Sequence, residues 1–172
     1  MLDYLVISAY LVLLLAGSLL IRPTPFGATL NALFAHPGSA EVTAFGLLVL
    51  PIVLYFALLE SSTWQASLGK RTLGLHVTDV HGARLSRVRS LGRSGLKFVP
   101  WELTHACLWN IPGWPFAASR IPPLVAAGLI LVWVLVGVYA VSLLLSKTHQ
   151  TLYDRIAGAY VVPWAKLRRT GP

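Results

Sequence analysis

The sequence predicts an all-α membrane protein: a bundle of four membrane segments, the third short, with a small cytoplasmic β-hairpin and a basic interfacial helix. Three observations carry this. Hydrophobic residues make up 56% of the 172, charged residues only 12%, and mean hydropathy is +0.69, well outside the soluble average. Long runs at 4–21, 42–59 and 121–145 hold no charge at all, and each is near the length that crosses a bilayer. The cations cluster outside those runs. Lys70, Arg71, Arg84, Arg87, Arg89, Arg93 and Lys97 fall in 64–97, and Lys147, Arg155, Lys166, Arg168 and Arg169 fall in 147–172.

Taken in order, the first run ends at Arg22-Pro23. Its 18 residues reach about 27 Å at ~1.5 Å each, and no polar face exists at any period, so it reads as a spanning helix. The start MLDYLV lacks a basic region and a clear small-residue cleavage pattern, so no cleaved signal peptide is expected. Residues 24–40 are rich in Pro, Gly, Thr and Ser and predict an external loop, with a helical turn at 29–34. The run 42–59, closed by Glu60, carries Pro51 in its middle. A proline there kinks the helix and frees the carbonyl one turn earlier, which in lipid needs a partner.

In the polar stretch 64–97, Leu73, Leu75 and Val77 alternate with Gly74, His76 and Thr78, a strand period. With a turn at Val80-His81-Gly82-Ala83, residues 72–86 predict a hairpin on the membrane surface. Ser86 then caps a helix toward Lys97, on which Arg89, Arg93 and Lys97 form a stripe at i, i+4, i+8. Such a helix lies among headgroups with its cationic stems extended toward them. Arg87, Arg89 and Lys97 are therefore assigned to lipid, and Gly92 and Gly95 to close packing. Segment 98–111 is apolar but holds Glu102 and His105, and Pro112-Gly113-Trp114-Pro115 breaks the chain after it. The run 121–145, 25 residues without a charge, spans.

Cations are retained on the cytoplasmic side. The regions 64–97 and 147–172 then share that face, so two crossings must lie between them, and 98–111 is the only segment available for the second. Its 14 residues reach only about 21 Å, hence a short or tilted span with Trp101, Trp109 and Trp114 as interfacial anchors. The alternative is three spans, with 98–116 in the interface. The whole chain, 1–172, forms one domain with both termini cytoplasmic. Its partners are the bilayer, anionic lipid headgroups, and a second copy or a partner membrane protein. A pI near 10.2 would suit nucleic acid in a soluble protein, but cations flanking apolar runs are explained by topology.

Several motifs resemble the RDD family of small bacterial membrane proteins. Ser67-Leu68-Gly69-Lys70-Arg71 followed by Gly74-Leu75-His76-Val77 is similar to that family's T-x-G-K-R-x-x-G-L-x-V block. Gly82, Leu85, Ser86 and Arg93 resemble its G-x-x-L-S segment and following Arg. Leu152-Tyr153-Asp154-Arg155-Ile156-Ala157-Gly158-Ala159-Tyr160-Val161-Val162 resembles its closing L-H-D-x-x-A-G-T-x-V-V block. Asp3 and Asp154 match the two family aspartates, while the family's Arg before the first has no counterpart ahead of Asp3. The resemblance implies a bacterial inner-membrane protein that transports a small ligand or exchanges cations for protons. It also implies an alternative, a non-catalytic scaffold or assembly module binding membrane partners or anionic lipid.

The candidate polar site is Asp3, Glu60, Arg93, Glu102, His105 and Asp154. Carboxylates beside apolar sequence are costly and mark function by default, and one that alternates between proton and cation can couple their movements. A structural staple between Asp154 and Arg93 is the competing reading. Glu102 and His105, three residues apart, share a helix face, where a mutual hydrogen bond would also explain them. Cys107 is the single cysteine, and no two of the five histidines have helical metal spacing. No catalytic loop or nucleophile motif appears. Neither an enzyme, a metal nor a cofactor is expected.

Overall fold

The structure, a computed structural model, describes residues 2–115, 117, 118 and 120–167. Arg168, Arg169 and the rest of the predicted cytoplasmic tail beyond 167 lie outside the described residues, as does the side chain of Lys166. The elements are α1 (Leu2–Ile21), α2 (Pro25–Leu33), α3 (Pro37–Glu60), α4 (Leu68–Thr72), β1 (Leu75–Thr78), α5 (Arg87–Trp109), α6 (Pro123–Leu145), α7 (Leu152–Ala157), β2 (Tyr160–Pro163) and α8 (Trp164–Leu167). Of these, α1, α3 and α6 are long and apolar enough to cross a membrane. The chain divides into two compact units, one of Met1–Asp3, Ile52–Val99 and Val134–Pro172, the other of Tyr4–Pro51 and Pro100–Trp133.

In the second unit, α2 begins where Thr24 accepts from Gly27 N–H at 3.1 Å, and Pro25 occupies the first turn. The predicted loop is thus largely helical, because Pro25 and Pro37 both stand at helix starts, where a missing N–H costs nothing. Further along, Phe45–Val49 of α3 forms a π-helical turn, and Leu50 N–H bonds to Phe45. Pro51 explains it. With no N–H, Pro51 leaves the Leu47 carbonyl unpaired, and Tyr10 Oη of α1 donates to that oxygen at 2.5 Å. The rest of this unit packs Cys107 and Ile111 of the α5 end against Val125, with Leu103, Leu108 and Leu129 around them. Gly128 permits this approach, since a Cβ there would stand 2.5 Å from Cys107 Sγ.

The first unit carries the two-stranded sheet. The predicted hairpin is corrected: β1 pairs antiparallel with β2 from the end of the chain, His76 opposite Val162 and Val77 opposite Val161. The expected turn does form, since Asp79 Oδ1 accepts from His81 and Ala83 N–H at 2.9 Å each, and Gly82 supplies a φ of 79°. The returning arm gives only a single bridge, Thr78 to Arg84. Leu85 is drawn into the core with Val77 and Ala159, and Ser86 already accepts from Arg89 N–H to open a helix. Too little chain remains for a second strand there, so the partner comes from the tail.

A second correction concerns α5. The predicted interfacial helix and the short third segment are one continuous helix of 23 residues containing Pro100. Here too a tyrosine takes the carbonyl that a proline abandons: Tyr139 Oη of α6 donates to Leu96 O at 2.7 Å. Gly92 and Gly95 have nothing within 4 Å of where a Cβ would stand, so close packing does not account for them.

Each tyrosine hydroxyl satisfies an oxygen that would otherwise be unpaired in an apolar setting. Tyr10→Phe and Tyr139→Phe are each expected to cost about 1 kcal/mol, read as a lowered midpoint of thermal unfolding in detergent. In a Pro51→Ala background the Tyr10→Phe loss should shrink, because a restored N–H reclaims the Leu47 carbonyl. An equal loss in both backgrounds would refute the pairing.

Candidate functional site

The first unit carries a buried cluster of charges beside its apolar core of Val77, Leu85 and Ala159. Glu60, at the last turn of α3, has no exposed surface, and Arg93 and Asp154 are only 3% and 4% exposed. Arg93 of α5 bonds to Glu60 Oε2 through Nη1, and on its other side donates from Nε to Asp154 Oδ1 at 2.7 Å. The second Glu60 oxygen takes Lys70 Nζ at 2.6 Å. Two carboxylates and two cations thus alternate along one buried chain, so each charge taken from water faces an opposite one. Such pairing is needed because the effective desolvation penalty of a buried ion is several kcal/mol.

Local sequence positions each member. Asp154 stands at the third residue of α7 and closes a capping box: Thr151 Oγ1 donates to Asp154 Oδ2 at 2.7 Å, and Thr151 N–H to the same oxygen at 3.1 Å. Its other oxygen is left for Arg93. Gly158 ends α7 with φ of 59°, and a Cβ there would lie 2.5 Å from Arg89 Nη2. Both facts favour glycine. Arg89 donates from Nε to Ala157 O at 3.0 Å and from Nη2 to Gly158 O at 2.9 Å, neutralising the carbonyl end of α7. Within α5 the hydroxyl of Ser90 donates to Ala57 O of α3 at 2.8 Å.

Asp3, at the start of α1, is gathered into the same unit by neutral donors. Tyr55 Oη and Gly69 N–H reach Oδ1 at 2.7 and 2.8 Å, and Ser67 Oγ reaches Oδ2 at 2.7 Å. Gly69 cannot be larger without displacing it, since a Cβ would stand 2.5 Å from Asp3 Oδ2. Among the described residues no cation lies within ion-pair distance of Asp3.

The sequence therefore named four members of this unit, Asp3, Glu60, Arg93 and Asp154, and missed the role of Lys70, Tyr55, Ser67, Gly69 and Thr151. Lys70, Ser67 and Gly69 had a signal, because they belong to the Ser67-Leu68-Gly69-Lys70 block. Tyr55, inside an unbroken apolar run, had none. Glu102 and His105 are not brought to this site and belong to the other unit. Their Oε2 and Nδ1 atoms are buried without a hydrogen-bond partner among the described residues, so the suggested Glu–His bond does not form there. Of the residues assigned to lipid, Arg87 is exposed, Arg89 is engaged at α7, and Lys97 Nζ sits 3.6 Å from the Phe56 ring centroid. The basic stripe faces protein at Arg89, Arg93 and Lys97 because α3 and α7 supply its acceptors.

A second cluster lies at the sheet. Arg71 stacks over Trp64 at 4.2 Å, and His76 stacks on Trp164 at 4.6 Å, around a cavity of about 390 Å³. Burial, with Arg71 nearby, holds the His76 imidazolium below its usual range.

These features define a class: a small helical membrane protein whose polar unit is assembled from the beginning, middle and end of the chain around a buried arginine. The sequence matches the model of the RDD family over residues 1–158, and the chain belongs to that family. No curated protein and no solved structure matches it.

Lys97 gives this unit a pH response. Burial, reinforced by the positive charge of Lys70, pushes its ammonium down to about 8 from an ordinary 10.5. Below pH 8 the group is charged in folded and unfolded chains alike, and its burial penalty is fully present. As pH rises toward 10.5 the folded chain has already shed the proton while the unfolded chain still holds it, so stability increases. Wild-type protein should thus gain stability against Lys97→Met between pH 8 and 10.5 in paired unfolding curves. A difference that stays flat across that window would contradict this.

Proposed function

We propose that this RDD-family protein is a non-catalytic membrane module of a bacterial inner membrane. Its ion-paired unit holds a rigid cytoplasmic surface, and its apolar helices engage a partner membrane protein or a second copy. One observation carries the reading: every carboxylate oxygen of the polar unit already has a donor. Both oxygens of Glu60, Asp3 and Asp154 accept from fixed donors. An ion would have to displace those donors before it could bind, which favours a staple over a transport site. The helices add support, since α1 buries none of its residues and α6 buries only Val125. Those faces await lipid or protein.

The proposed topology places 64–97 and the chain after 147 on the cytoplasmic face, with the second half of α5 as a fourth, short crossing. Single cysteines at Val88 and Lys147, on a Cys107→Ser background, should label from the same side of intact cells. Labelling from opposite sides would remove the fourth crossing.

A second reading, exchange of cations for protons, is favoured by the unpartnered Glu102 and His105 atoms in the other unit, where Glu41 adds a further negative charge to their surroundings. Purified protein alone in liposomes decides between the two. The module reading expects no cation-driven proton movement under any imposed gradient, and co-purification with a defined membrane protein at fixed stoichiometry. Flux that is lost in Glu102→Gln with the protein still folded would establish exchange instead.

A further inference from the structure

A cavity of about 300 Å³ opens between the end of α3 and the start of α5, with Arg84, Ser86 and Arg87 on its polar side and Leu58 at its apolar edge. Neither Arg84 nor Arg87 has an ion-pair partner among the described residues, and no carboxylate lines the cavity. This sets the two apart from Arg89 and Arg93, whose guanidinia donate to carbonyls of α7 and to carboxylates respectively. Ser86 Oγ accepts from Arg89 N–H and so keeps its own proton to donate. The neighbouring Ser61 and Ser62 hydroxyls are already committed to Ala57 and Leu59 carbonyls. The cavity therefore presents two free guanidinium groups and one hydroxyl donor, a set that matches the oxygens of a phosphate.

The two helices that bound the cavity also carry exposed apolar side chains. Leu54 and Leu58, one turn apart on the membrane-length helix α3, are 37% and 56% exposed. On the first turns of α5, Val88 and Leu91 are 81% and 45% exposed. A water-soluble phosphate would use the arginines and leave these side chains uncovered, whereas a phospholipid would use both. The absence of a lining carboxylate also selects among lipids, because the ammonium of a zwitterionic headgroup would find no counter-charge.

We propose that this cavity is a binding site for the phosphate of one anionic glycerophospholipid, its acyl chain lying along Leu58 and Leu54. The site depends on the membrane setting of α3 and not on whether the chain docks partners or moves ions.

Native mass spectrometry of the full chain in detergent, titrated with phosphatidylglycerol or phosphatidylcholine, tests it. The first retained phosphatidylglycerol should bind about tenfold tighter than phosphatidylcholine, because both phosphates accept from the arginines alike and only choline sets a like charge beside them. Arg84→Gln with Arg87→Gln should erase that preference, while Arg84→Lys with Arg87→Lys should keep most of it. Lys147→Gln with Arg155→Gln, which removes the same charge elsewhere, should leave it intact. The lysine pair also keeps the test decisive if the glutamine pair fails to fold, since it must then still prefer phosphatidylglycerol. Equal binding of the two lipids to wild-type protein would overturn the site, as would an undiminished preference in a folded glutamine pair. Displacement of phosphatidylglycerol by an equal concentration of inorganic phosphate would make the occupant a free anion and overturn the lipid assignment.

Discussion

Arg93 cannot be buried alone, and much of the first unit follows from that constraint. A guanidinium almost wholly removed from solvent requires acceptors on its two sides, and Glu60 and Asp154 supply them. Glu60 is then the last residue of a membrane-length helix, while Asp154 must be presented by a short helix whose two ends are both capped. The α7 caps, Thr151 at one end and Gly158 with Arg89 at the other, fix Asp154 where Arg93 can reach it. The chain after α7 continues directly into β2, whose pairing with β1 ties the tail to the polar stretch. A buried ion pair of this sort adds little net stability over an apolar substitute, yet strongly penalises any arrangement that leaves one charge unmatched. In this molecule it fixes which segments of the chain belong together.

A second device serves the helices themselves. A proline inside a helix leaves the carbonyl one turn earlier without its helical donor. Pro51 and Pro100 each leave one, at Leu47 and Leu96, and each is met by a tyrosine from another helix, Tyr10 in α1 and Tyr139 in α6. The order is reversed between the two pairs: tyrosine precedes proline in the first and follows it in the second. At Pro51 the helix widens into a π turn, which lets Leu50 bond one residue further back.

Much of this was legible in the sequence, for physical reasons that also mark where legibility stops. Charge-free runs are unambiguous when no amphipathic period competes, and α1, α3 and α6 fall on them. Pro51 announced a free carbonyl, although nothing pointed to Tyr10 as its partner. The strand at 75–78 was visible in its alternation, but its partner was not, because strand pairing is a long-range choice and the nearer candidate looked sufficient. The missed continuity of α5 has a similar origin. A basic half and an apolar half read as two elements, because composition changes near Lys97 while the backbone does not. The charged stripe was seen, and its direction was not, since inward-facing and lipid-facing arginines have the same spacing. Asp3, Glu60 and Asp154 were found because carboxylates beside apolar sequence are rare, and Arg93 because it matches the Arg of a family motif. Tyr55 was lost among apolar neighbours that carry no such contrast.

Arg93 and Asp154 act as one unit, and a double-mutant cycle measures their coupling directly. Thermal or denaturant unfolding of the purified protein would be compared for wild type, Arg93→Gln, Asp154→Asn and the double variant. Arg93→Gln strands Asp154 and should cost about 3 kcal/mol or more, while Asp154→Asn leaves Arg93 its Glu60 partner and should cost less. The double change strands less and should cost clearly under the sum, with a coupling on the order of 1–3 kcal/mol. Strictly additive losses would contradict the account, because the two side chains would then stabilise the protein independently of each other.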